Sequence, residues 1–386
     1  MASLPDPSRR QFLGTAGAVG TSLLAGRSFG QDVPLAPPDR QPPKLNVPDR
    51  PGKTVGWAIV GLGELALGEI MPAFADCQIS KPTALVSGHP DKAEKVVRAY
   101  GIKTSSIYNY ENYDKLADNP DVQAIYIVLP NSMHAEYTIR GHKAGKHVLC
   151  EKPMAVTVDD CEKMIAASKE AKKHLMIAYR LRYEPFNMTA IEMCRNEKLG
   201  KIQSISASNN QVVQAPNIRL SGPLGGGPLG DIGLYCLNAT RYLTGLEPVE
   251  VAAYSHQPKD DPKFREVPAT VAWTARFPND VIVTCDCSFN ASPSRRYRVH
   301  CDKGFIDLEE AFSYRGQVMT IGEKGKKSRL DITPVNHFAA EMEHFSQCIL
   351  DNQPPRTPGE EGLADHRAMA AIEESARTGK SVSLKG

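Results

Sequence analysis

Val55-Gly56-Trp57-Ala58-Ile59-Val60-Gly61-Leu62-Gly63-Glu64-Leu65-Ala66 is the stretch that decides how the rest of the chain is read. An apolar run ending in Gly-x-Gly-x-x-Ala describes a buried strand, a tight turn and the first turn of a helix. Gly61 permits the turn and Gly63 lets the backbone approach a pyrophosphate. Ala66 keeps the helix close to the strand, and Leu62, Glu64 and Leu65 complete the loop. The helix N-terminus then faces phosphate charge. Such a turn alone is weak evidence for a dinucleotide; the strand before it and the helix after it supply the context.

Downstream, the pattern repeats. Strands are expected at 84–87, 123–129, 146–150 and 175–179, with helices at 91–100, 132–144 and 159–172 between them. That alternation implies parallel βαβ units, hence a doubly wound α/β sheet of the Rossmann type over residues 54–176. Beyond Tyr179 a helix at 187–198 precedes strand-like runs at 202–213, 249–254, 270–277, 281–289 and 297–301, several separated by turn residues such as Pro278-Asn279-Asp280. A helix from Gly230 to about Tyr242 interrupts them. At 386 residues the chain is too long for one ordinary core, and residues 177–386 form a second domain in this reading.

Upstream lie two further segments. Arg9-Arg10-Gln11-Phe12-Leu13 and the weakly apolar stretch behind it read as a twin-arginine signal peptide over residues 1–30, too short to anchor stably in a membrane. Residues 31–53 hold seven prolines and little periodicity, an extended arm or a plain linker. With 41% hydrophobic and 23% charged residues and a net charge of +2, nothing calls for nucleic acid or an anionic surface. The nine cysteines are scattered, with no disulfide framework and no zinc spacing, so no metal is expected. Cys285 and Cys287 fall on one face of a strand and read as buried thiols.

The strand ends carry the chemistry, because ligands of such sheets bind beyond them. The second strand runs into Ser87-Gly88-His89-Pro90-Asp91-Lys92. A small neutral Ser87 with Lys92 five residues on favours NADP over NAD, while Asp91 belongs to the first turn of the next helix. After the next strand come Leu129, Pro130, Asn131 and His134. Asn131 either caps the following helix or, with His134, lies near the nicotinamide ribose. Glu151-Lys152-Pro153 ends another strand; proline holds Lys152 extended, so its ammonium projects into the crevice.

These motifs, with the run Gly225-Gly226-Gly227-Pro228-Leu229-Gly230-Asp231-Ile232-Gly233-Leu234-Tyr235, resemble the glucose–fructose oxidoreductase and inositol dehydrogenase family, closest to its exported branch. The resemblance extends from about Thr54 to the C-terminus. It implies a C-terminal α+β domain with a large, mostly antiparallel open sheet, and sugar bound between the two domains. Asp231 and Tyr235 lie four apart on one helix face. Free tyrosine titrates near ~10, and a neighbouring ammonium favours the phenolate. In this reading Tyr235 is the base and acid, Lys152 its electrostatic partner and Asp231 the orienter of the sugar hydroxyl. The competing reading has Asp231 capping the helix and Tyr235 packed in the core. Arg180, Tyr183 and Arg219 are candidate sugar ligands. Arg182 and the loop 214–223 depart from the family pattern, which leaves sugar preference open.

The function expected is that of a periplasmic enzyme, exported folded by the twin-arginine machinery, with tightly bound NADP. It oxidises an aldose to its lactone and reduces a second sugar, fructose or another aldose, in ping-pong order. A homo-oligomer, dimer or tetramer, is expected. The alternatives are an NADP-dependent aldose dehydrogenase that exchanges its cofactor, and a non-catalytic NADP- or sugar-binding protein.

Overall fold

A computed structural model describes residues 52–384 of the chain. The expected signal peptide, and all but the last two residues of the proline-rich arm, lie outside the described residues.

Six parallel strands form the first sheet: β1 (Val55–Val60), β2 (Ser80–Val86), β3 (Ile107–Tyr108), β4 (Ala124–Ile127), β5 (His147–Glu151) and β6 (Leu175–Ala178). Their order, β3-β2-β1-β4-β5-β6, is that of a doubly wound sheet. Every residue of β1 is buried, as expected of a central strand covered on both faces. The connecting helices are α1 (Met71–Ala73, extending a π-helical turn over Ala66–Ile70), α2 (Pro90–Tyr100), α3 (His134–Lys143) and α4 (Val158–Ala171). Thr157 caps α4, its side chain accepting from the Asp160 amide. The order reverses between β1 and β4, and the crevice at that switch point is where the glycine turn opens.

The second sheet has nine strands. In chain order they are β7 (Ile202–Val212), β8 (Glu250–His256), β9 (Thr270–Arg276), β10 (Ile282–Ser288), β11 (Asn290–Cys301), β12 (Gly304–Glu309), β13 (Val318–Glu323), β14 (Lys326–Arg329) and β15 (Val382–Ser383). All pairings are antiparallel except β7 with β10. One face packs on helix α6 (Leu234–Thr244), which lies against α5 (Pro185–Arg195), so the strands alternate buried and exposed. Cys285 and Cys287 both point inward, and all nine cysteines are free.

Of the last helices, α7 (His337–Asp351) returns to the first sheet, and α8 (Gly359–Thr378) packs on β8 of the second sheet as well as on α4 and β6 of the first. The Trp57 indole donates to Ser346 Oγ at 3.1 Å and its ring lies 5.7 Å from that of Phe345. Just before α8, Thr357 pairs with Ile177 through its backbone carbonyl and its hydroxyl (2.8 and 2.7 Å). The Rossmann core is thus completed by chain from the far end of the sequence, whereas the periodicity of the sequence had placed everything after residue 176 with the second sheet.

Candidate active site

The glycine turn is shaped as a cradle. Gly61 has φ +95°, and a Cβ there would lie 2.2 Å from the Val128 carbonyl oxygen, so only glycine fits between the ends of β1 and β4. Gly63 is the opposite: a Cβ would meet nothing within 4 Å, leaving an open backbone face at the start of the helix. Lys92 Nζ donates to the Leu62 carbonyl at 3.3 Å, which puts the ammonium on the rim of this turn. Ser87 is buried, and its Oγ accepts from the His89 amide at 3.1 Å. Gly88 lies against the Tyr110 ring, 3.1 Å from where a Cβ would stand. Asp91 is exposed in the first turn of α2. A neutral, tight loop beside one lysine suits a ribose that carries a phosphate; the residues present therefore fit NADP.

At the end of β4 Asn131 does not cap the helix that follows. Its side-chain amide donates to the Gly225 carbonyl at 2.8 Å, and it caps nothing. It ties the strand end to the glycine run of the second domain. His134 is fully buried, with Nδ1 2.8 Å from the Pro153 carbonyl and Nε2 2.9 Å from that of Leu129. Burial holds its pKa below the usual histidine value, and a neutral ring has one N–H for these two acceptors. So enclosed, His134 does not reach a ribose. It positions the Leu129-Pro130 turn against the Glu151-Lys152-Pro153 segment. Glu151 is buried too, accepting from the Tyr126 hydroxyl at 2.8 Å and from the Lys152 amide at 3.2 Å.

Lys152, Asp231 and Tyr235 do converge. Lys152 Nζ donates to the Asp231 main-chain carbonyl at 2.7 Å, stands 3.4 Å from its carboxylate, and sits 4.5 Å from the centre of the Tyr235 ring. Asp231 lies on a π-helical turn, Leu229–Gly233, that leads directly into α6. Gly233 lets this turn close on β10, since a Cβ would come 2.7 Å from Cys287 Sγ. Arg219 Nε donates to the other Asp231 oxygen at 2.7 Å. Arg180 is buried, donates to the Tyr235 hydroxyl at 3.4 Å, and is fixed by the carbonyls of Phe312 (2.7 Å) and Ser313 (3.3 Å). Burial works against the Lys152 ammonium, but Tyr235, Asp231 and Glu151 outweigh it and raise its pKa. Burial likewise opposes the Asp231 carboxylate, and Arg219 and Lys152 reverse this, holding it below the usual range. The result is a phenol flanked by two cations, beside a carboxylate held between two cations.

Tyr183 does not join them. It is buried, its ring packs 5.2 Å from that of His344, and its hydroxyl faces Met176 Sδ. Arg182 is turned towards Glu361 (3.5 Å) rather than the cleft. Three residues missed in the sequence reading stand at the site instead. Tyr314 is 40% exposed with the Arg180 guanidinium 4.6 Å from its ring centre. Its neighbour Arg315 pairs with Glu69, on the helix behind the glycine turn, at 3.0 Å. Phe312 packs 6.0 Å from the Tyr235 ring. They come from the β12–β13 connection, which carries no motif of its own.

The fold and this cluster define a dinucleotide-dependent oxidoreductase. Residues 55–179 match the profile of an oxidoreductase family with an NAD-binding Rossmann fold, and residues 187–307 that of the GFO/IDH/MocA C-terminal domain. An aldose–aldose oxidoreductase from Caulobacter crescentus, solved with glycerol, is 42% identical, with a TM-score of 0.84 over 86% of this chain and 100% of that one. The NADP-dependent D-xylose 1-dehydrogenase of Haloarcula marismortui is 29% identical over 338 residues, 86% of this chain and 93% of its own. A 3-ketoreductase from Actinomadura kijaniata, solved with NADP, shares the fold at 24% identity and a TM-score of 0.75, over 84% of this chain and 98% of that one. This chain belongs to the GFO/IDH/MocA oxidoreductase family.

Proposed function

We propose that the protein oxidises an aldose to its aldonolactone and passes the reducing equivalents to a second sugar, in ping-pong order, with NADP that stays bound throughout. The observation that carries this is that Lys152 lies 4.5 Å from the centre of the Tyr235 ring while Arg180 donates to its hydroxyl at 3.4 Å. The bound cofactor supplies the hydride acceptor. Tyr235 takes the proton of the anomeric hydroxyl as hydride leaves the same carbon, and the two flanking cations stabilise the charge that develops on its oxygen. Asp231, fixed by Lys152 and Arg219, accepts a hydrogen bond from a sugar hydroxyl and orients the ring. A second sugar then takes the hydride back, Tyr235 returns the proton, and a polyol leaves. The likeness to an aldose–aldose oxidoreductase supports a second aldose as acceptor, with fructose the other candidate.

Export through the twin-arginine pathway to the periplasm belongs to this reading, since a compartment without a nicotinamide pool requires a cofactor recycled in place. So does a dimer or tetramer. Protein purified without added cofactor, then given glucose, is expected to gain the near-ultraviolet band of a reduced nicotinamide and to lose it when a second sugar follows. Without that band the cofactor is exchangeable, and the protein is an NADP-dependent aldose dehydrogenase, a reading the NADP-dependent xylose dehydrogenase likeness favours.

A further inference from the structure

The second domain grips the first from both flanks of the dinucleotide crevice. In a sheet of order β3-β2-β1-β4-β5-β6, the β1-to-β2 and β4-to-β5 crossovers run in opposite directions. Right-handed connections therefore place α1 and α3 on opposite faces of the sheet. One contact starts from each. Asn131, on the 3-10 turn Asn131–Met133 that leads into α3, donates to the Gly225 carbonyl at 2.8 Å. Glu69, on the π-helical turn that leads into α1, holds the Arg315 guanidinium by both prongs, Nη2 to Oε2 at 3.0 Å and Nη1 to Oε1 at 3.3 Å. Between those helices lie the glycine turn and the β1–β4 switch point, where a dinucleotide binds such a sheet.

The two flanks are built differently. On the α3 side the backbone itself is packed in, since a Cβ on Gly225 would stand 2.9 Å from that of Asn131. On the α1 side the contact is the tip of a loop. Gln317 Nε2 donates to the Ser313 carbonyl at 2.7 Å and closes the base of that loop, and Gly316, at φ +89°, turns the chain just after Arg315. Its root is fixed at the catalytic cluster, where Arg180 donates to the Phe312 and Ser313 carbonyls and Phe312 packs on the Tyr235 ring. The loop thus runs from the tyrosine to the helix behind the glycine turn. Glu69 is only 5% exposed, whereas the Arg315 side chain is 63% exposed. The carboxylate is the fixed half of the pair, and the guanidinium is the half that water can receive when the pair parts.

We propose that Arg315 and Glu69 form a clasp that retains the dinucleotide: the pair holds the 313–317 loop across the α1 flank of the crevice, and NADP leaves after the pair has parted. Arg315 is a positioning residue in this role, and the proposal rests on the reading that NADP stays bound between turnovers. The test loads the full chain with NADPH, adds excess NADP and follows the loss of bound-NADPH fluorescence. R315Q is expected to release NADPH about tenfold faster than the wild type, the scale of one charge-assisted contact with a partly exposed partner. R315K, which keeps the charge and loses the fork, should fall between them. E69Q should match R315Q, and the double variant should be no faster than the quicker single one, because the two act as one pair. If E69Q does not fold, R315Q and R315K decide the matter. Release from R315Q within about twofold of the wild type, or single effects that multiply in the double variant, overturns the clasp. A wild type that sheds NADPH faster than it turns over would instead remove the tight-binding reading, while the ratio of variant to wild type still judges the clasp.

Discussion

Lys152 donates to the main-chain carbonyl of Asp231 at 2.7 Å as well as approaching its carboxylate at 3.4 Å. One lysine at the end of a Rossmann strand thereby holds the helix of the other domain that carries Tyr235. Replacing it removes both a charge and a fixed point. Lys152→Met is expected to lower kcat by on the order of 10²–10⁴, the usual range for an acid–base apparatus, while NADP remains bound. Single-turnover reduction of the bound cofactor measures this; a change in KM alone would show that Lys152 only binds sugar.

Tyr235→Phe keeps the ring between Lys152 and Phe312 and removes only the hydroxyl that Arg180 reaches. Turnover is expected to fall at least as far as in the lysine variant, with the thermal midpoint nearly unchanged. Activity close to wild type would move the base elsewhere.

Asp231→Asn leaves Arg219 and Lys152 without their shared anion. Binding of sugar should suffer more than the chemical step, so KM is expected to rise roughly tenfold to a hundredfold, about 1.5–3 kcal/mol for a charge-assisted contact. Initial-rate kinetics over a range of aldose concentrations separate the two effects.

Cofactor choice is read at the β2 end. Ser87→Asp combined with Lys92→Ala places a carboxylate where the ribose lies and removes the ammonium 3.3 Å from the Leu62 carbonyl. The preference for NADP over NAD is expected to reverse, with NADP weakened by roughly tenfold to a hundredfold. Equilibrium binding to cofactor-stripped protein checks it; an unchanged ratio would place the phosphate contact on another residue.

Stability should fall in mild acid. His366 is buried and its Nε2 accepts from the Ala155 amide at 3.2 Å, which requires an unprotonated nitrogen. Burial lowers its pKa from 6.5 to about 4. A group whose folded pKa is depressed contributes its full stability above its unfolded pKa and loses it as the pH falls towards the folded one. The window is therefore pH 6.5 to about 4, and the contribution is on the order of 3 kcal/mol. His366→Gln should flatten the fall in Tm across that window, and an equally steep fall would assign it to other buried histidines.

Much of this was legible in the chain. The Gly61 turn and the βαβ alternation are local patterns, since a strand end or a glycine turn is written in consecutive residues, whereas the Lys152, Asp231 and Tyr235 set was carried by the family resemblance. Tyr183 was misplaced because its direction is set by packing on α7, which joins the Rossmann core from a distant part of the sequence. His134 was placed near the ribose, and Asn131 there or at a helix cap, because a strand end of this sheet type binds ligands. Their partners, the Pro153 and Gly225 carbonyls, are backbone atoms that no residue type announces. Tyr314, Arg315 and Phe312 had no motif at all.

By itself, then, the sequence determined the strand-and-helix alternation of the first sheet, the hairpin strands of the second and the dinucleotide turn, because each depends on short-range periodicity or on residue identity. The tertiary structure decided which charges meet. It brought Arg180 and Lys152 onto Tyr235 and set Arg219 on Asp231. Coulomb interactions and burial depend on distance in space, and that distance is fixed only when α7 and the glycine run close over the strand ends.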